Sequence, residues 1–145
     1  MPCMTTATRR MTFAYSVGHL VVCATVAQAH HSISTVYDEA KQVTIEGVVS
    51  KFQFVNPHPL VVVDVKTPAG AQQWMLEMDN KSELVDIGFD DATLKPGDQV
   101  VVAGNPSRTE QRSLYIRRLD RAADGFSFLQ IADSPSIASP ARSRN

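Results

Sequence analysis

Asn56-Pro57-His58-Pro59 stands between two runs of strong β patterning, residues 43–55 and 60–65. Each proline ring fixes its own φ and pushes the residue before it out of the helical region. The chain must therefore turn here, strand to strand, with His58 held between two rigid neighbours. A helix through this stretch is excluded, and the runs on either side have to pair as a sheet. In the first run Val43 and Ile45 share a face, and after Gly47 the apolar set passes to Val48, Phe52 and Phe54. A glycine at such a change of parity predicts a bulge and a sharply bent strand.

Residues 60–65 are nearly all apolar, which predicts a central strand. Pro68-Ala69-Gly70 is a turn that makes residues 72–78 its antiparallel partner. There Trp74, Leu76 and Met78 face one way, and Met75 and Glu77 the other. Asp79 or Asn80 then caps a short helix, with Glu83 at capping-box spacing from Asn80 and Gly88 as the stop. Leu94-Lys95-Pro96-Gly97-Asp98 is a turn, residues 99–104 a fourth strand, and residues 113–119 a fifth with Leu114 and Ile116 inward. Residues 125–131 can dock as a short extra strand.

This order predicts an all-β chain with one short helix, folded as a small OB-fold-like five-stranded barrel whose helix lies between the third and fourth strands. The barrel domain is placed at residues 30–131. Residues 132–145, rich in Ser, Pro and Ala and without period, are read as an unstructured tail.

Residues 1–29 have the form of a secretory signal: Arg9-Arg10, a mostly apolar stretch, then Ala27-Gln28-Ala29 at a small-x-small cleavage position. A membrane-spanning helix needs about 20 apolar residues, and Ser16, Gly18 and His19 interrupt this stretch. The reading is therefore a periplasmic or secreted protein without stable membrane insertion after cleavage. Cleavage after Ala29 removes both cysteines, Cys3 and Cys23, so neither disulfide nor thiol chemistry remains. It also takes two arginines and no acid from totals of 14 and 15, leaving 12 basic against 15 acidic residues. An acidic balance argues against nucleic acid as a partner. The expected partners are instead a metal ion or an envelope protein.

The remaining histidines are His30, His31 and His58. If the mature chain starts at His30, its free α-amine and imidazole chelate one metal ion, and His31 and His58 can complete the set. Imidazole and amine nitrogens suit copper first, with zinc as the second choice. The plain reading of His58 is a turn histidine bonded to a neighbouring carbonyl or to Asn56. No nucleophile–base pair stands out, so an enzyme is not expected. The alternative to metal binding is a non-catalytic accessory module that grips a peptide, a sugar or an envelope partner.

Several short motifs add to this. They are His30-His31-Ser32, Glu46-Gly47, Asn56-Pro57-His58, Trp74-Met75-Leu76-Glu77, Leu94-Lys95-Pro96-Gly97-Asp98, Val100-Val101-Val102 and Gly104-Asn105-Pro106. In this set the chain resembles an uncharacterised family of secreted bacterial proteins catalogued as a domain of unknown function. It departs from the family's pattern at Phe54, where tryptophan is more usual, at Pro59, and at Met78-Asp79-Asn80-Lys81, where Gly-Ser-Pro-Asn often stands. The resemblance implies an exported small β domain and no particular reaction.

Overall fold

A computed structural model describes residues 33–138. Residues 1–29, read from sequence as a secretory signal, lie outside the described residues, as do His30 and His31. A four-residue helix, α1 (Ile33–Val36), leads into β1 (Val43–Gln53), β2 (Leu60–Thr67) and β3 (Gly70–Glu77). Helix α2 (Lys81–Asp86) follows, then β4 (Gln99–Pro106), β5 (Ser113–Arg121), β6 (Phe126–Ile131) and β7 (Ser134–Ala138). The sheet order is β3-β2-β1-β4-β5-β6-β7, and β3 also pairs parallel with β5 through Met75↔Ser113, Leu76↔Leu114 and Glu77↔Tyr115. That pairing closes β1 to β5 into a barrel with α2 between its third and fourth strands, the OB order the sequence predicts.

Three details differ from the sequence reading. There are two short helices among the described residues, because α1 is a single turn closed by the Tyr37 amide on the Ile33 carbonyl. Residues 134–138, read as unstructured, form β7 along the edge of β6. The bulge in β1 lies between Val49 and Lys51, not at Gly47. Ile45 and Val49 therefore face inward, while Val48 is only half-buried. Gly47 has another role: a Cβ there would stand 2.5 Å from the Asp64 carbonyl oxygen, so β1 and β2 can approach only over a glycine.

The barrel interior is apolar throughout. Val61, Val63, Leu76, Val102, Leu114, Ile116 and Leu119 are fully enclosed. Each such side chain contributes about 1.5–3 kcal/mol through water released on burial. Asn80 caps α2 by accepting from the Ser82 amide at 3.0 Å, and Gly88 at φ +95° turns the chain off its end. Leu84, Phe89 and Leu94 then join the buried core, where the Phe89 ring meets Phe126 and Phe128 edge-on. Trp74 packs on this core but stays partly exposed.

Candidate functional site

The proline-flanked turn is pinned at three points to the chain that follows β3. The Met78 amide donates to the Pro59 carbonyl and the Lys81 amide to the Pro57 carbonyl, both at 2.9 Å. The third point is His58 itself, whose Nδ1 stands 3.2 Å from the Met78 carbonyl. A carbonyl can only accept, so Nδ1 carries the proton, and Nε2 is the ring's lone-pair nitrogen in the neutral form. The side chain is about one-third exposed at 34%. The Asn56–Pro57 peptide of this turn is cis.

Beside His58 stands Glu77, whose Oε1 is 3.8 Å from Nδ1. Glu77 projects from the barrel wall opposite Leu76, a position that strand alternation alone would leave to solvent. It is instead three-quarters covered, because Tyr37 lies over it and donates its hydroxyl to Oε2 at 2.5 Å. Tyr37 is 4% exposed and stacks at a tilt on Tyr115, ring centres 5.6 Å apart. Tyr115, at 1% exposure, is bonded in turn to Asp79. Burial, reinforced by the carboxylates beside them, holds both phenols well above the usual tyrosine range.

The segment before β1 is thus a built part of the domain. The Asp38 amide donates to the Pro106 carbonyl and the Arg108 amide to the Val36 carbonyl, each at 2.9 Å, and Tyr37 bridges to Ser107. Asn105 holds the far end by donating to the Lys41 carbonyl at 2.7 Å, and its own oxygen accepts from Arg117 Nε at 2.6 Å. Arg117 then reaches Glu39 at 2.7 Å and lies over the Tyr115 ring. Gly104 makes this possible, since a Cβ there would collide with the Tyr115 carbonyl.

Of the residues singled out from sequence, the structure brings His58 and Glu77 together and joins them to the lead-in through Tyr37. Asn105, from the Gly-Asn-Pro motif, anchors the same lead-in from its other side. Where His30 and His31 sit relative to His58 is not described. Among the described residues no group of three His, Cys, Asp or Glu side chains is placed to hold a metal ion. Sequence reasoning missed Tyr115, Arg117 and Gln130. Tyr115 sits at an outward strand position, and its only signal was an aromatic where alternation calls for a polar residue.

A family model matches residues 17–115, more than half of the chain. The chain belongs to DUF6152, a family of unknown function. The match takes in the His58 turn, Glu77, Asn105 and the lead-in through Tyr37. No curated protein matches the chain. A similar solved structure is that of the mitochondrial single-stranded DNA binding protein Rim1 of S. cerevisiae. It is 13% identical at a TM-score of 0.43, covering 57% of this chain and 93% of that one. One expectation is corrected with this finding. Exclusion of nucleic acid rested on formal charge alone, a neighbour of this chain binds single-stranded DNA, and the exclusion is withdrawn.

Proposed function

We propose that this is an exported, non-catalytic metal-binding barrel that takes Cu(II) through the amine and imidazole of His30, with His31 and His58 completing the nitrogen set. One observation carries the reading. Tyr37, which anchors the lead-in, is bonded to the same carboxylate that stands beside His58. From Ile33 back to His30 the chain can reach at most about 11 Å. The search for His58 therefore starts from an anchored point, which lowers the entropy cost of closing the site.

His58 is set up for the role. Its Nδ1 proton is fixed on the Met78 carbonyl with Glu77 close by, the outer-shell arrangement that orients a ligating imidazole. Nε2 is then the nitrogen that binds. Glu77 acts as a positioning residue and Tyr37 as the link to the lead-in.

The test is a Cu(II) titration, followed by electron paramagnetic resonance, of a chain beginning at His30. One ion per chain with nitrogen ligands is expected. An extra residue before His30 should weaken binding strongly, because the α-amine is lost. His58→Ala should weaken it by about tenfold or more. Equal binding by the native and extended N-termini overturns the proposal. An unchanged spectrum in His58→Ala removes the turn from the site. Export is checked separately by the intact mass of periplasmic material, expected to begin at His30.

A further inference from the structure

Asn105 and Gln130 are the buried polar residues of the described chain, at 6% and 4% exposure, and both line one hollow of about 430 Å³. The hollow lies between the lead-in and the β5–β6 pair, and it needs none of the three histidines. Its polar wall carries Arg117, held rigid by Asn105, by the Tyr115 ring and by the Ala132 carbonyl at 3.3 Å. Its other wall is apolar, formed by Leu129 and Ile131, which are 37% and 64% exposed.

Gln130 Nε2 donates to Asp79 and to the Ala132 carbonyl. Both partners only accept, so the amide cannot be turned over, and its Oε1 is fixed with no hydrogen-bond partner among the described residues. A buried acceptor in that state is desolvated and left unpaired. Arg117 has one carboxylate partner here, Glu39, which is itself 48% exposed and sits on the lead-in turn.

We propose that this hollow binds the C-terminal end of an apolar peptide. The peptide carboxylate takes the place of Glu39 on Arg117. Its last N–H supplies the donor that Gln130 Oε1 lacks, reached as the Glu39 turn is displaced, and its last side chain lies on Leu129 and Ile131. Glu39 is then a built-in stand-in for the ligand's carboxylate. The three groups match the three parts of a chain terminus, whereas a simple anion uses one and a fatty acid two.

The probe is N-acetyl-L-leucine, which carries all three parts, added to the isotopically labelled protein and followed by NMR. It should shift the Arg117 Nε–H and the Gln130 side-chain amide. N-acetyl-leucine amide, without the carboxylate, and 4-methylpentanoate, without the N–H, should bind more weakly. Glu39→Gln should tighten binding roughly two- to fivefold, the factor expected for releasing a part-exposed ion pair. Ile131→Ser, at a position too exposed to threaten folding, should weaken it. Equal binding by N-acetyl-leucine and its amide overturns the proposal. So does equal binding by 4-methylpentanoate, or weaker binding by the Glu39→Gln variant. An absence of shifts at Arg117 and Gln130 at any concentration overturns it as well.

Discussion

Two regions of this domain are equally dry and built on opposite principles. Inside the barrel, Leu76, Leu114, Ile116 and Phe128 are fully enclosed among apolar neighbours. On the outside of the β3–β5 seam, Tyr37, Tyr115, Asn105 and Gln130 are almost as buried, yet nearly every one is committed to a named polar partner. Apolar packing is non-directional and tolerates exchange at constant volume. A buried polar layer is not tolerant, because each partner lost leaves another group desolvated and unpaired. The interior holds the barrel shut, and the outer layer holds the lead-in on it.

The largest effects should come from emptying the interior. Phe128→Ala removes a fully enclosed ring on which Phe89 packs edge-on, and should cost about 3–5 kcal/mol in urea unfolding. Leu114→Met, at nearly constant volume, should cost less than about 1.5 kcal/mol. The outer layer should reverse this tolerance. Asn105→Leu also nearly conserves volume, but it strips the Lys41 carbonyl and Arg117 Nε of their partner. It should cost about 1–3 kcal/mol. If Asn105→Leu proves as mild as Leu114→Met, the two regions do not differ in kind and the contrast fails.

The contrast also explains what could be read beforehand. The barrel was legible because its signals are local: alternation in β3, the Asn80 cap, the prolines around His58 and the Pro96-Gly97 turn. The partner of His58 was not legible, because its ring bonds the Met78 carbonyl, 20 residues on and outside the turn. The outer layer was not, because Tyr37, Glu77, Asn105, Tyr115 and Arg117 come from four separate segments and no periodicity connects them. Glu77 reads as a solvated strand residue until Tyr37 is known to lie on it. The β1 bulge was misplaced for a related reason. Gly47 marks a close approach of two backbones, and a glycine is needed there just as it would be at a bulge. Strand β7 was missed because Ser134-Pro135-Ser136 has turn-like composition, and its pairing is decided by the exposed edge of β6.

High pH should act on the outer layer alone. Tyr37 and Tyr115 keep their protons in the fold to well above the ordinary phenol range, because burial and the neighbouring carboxylates disfavour phenolate. A pKa raised in the folded state gives stability that is complete below the unfolded value, about 10, and is lost as pH rises beyond it toward the folded values. Urea midpoints should therefore fall above about pH 10, and phenolate absorbance should appear together with unfolding rather than before it. Tyr37→Phe should shrink the fall. A normal phenolate titration in the native protein would mean that neither ring is sealed.

The smallest effect is expected where neither principle operates. Arg118 is bonded to Asp120 at 2.6 Å on the outer barrel face, but the two side chains are 57% and 33% exposed. The Arg118 hydrogen bond holds the Asp120 carboxyl below its usual value, against a burial penalty, and Ser127 adds a second donor. A depressed carboxylate gives stability that is present above the unfolded pKa, near 4, and disappears as pH falls through the folded value. Water screens most of this pair, so Arg118→Ala should lower the urea midpoint least of the substitutions named here, and less still in high salt. Its short distance matches that of the Asn105–Arg117 bond in the buried layer. The two substitutions therefore compare bonds of like length with and without water around them. A cost for Arg118→Ala equal to that for Asn105→Leu would mean that length rather than burial sets the worth of a polar contact in this domain.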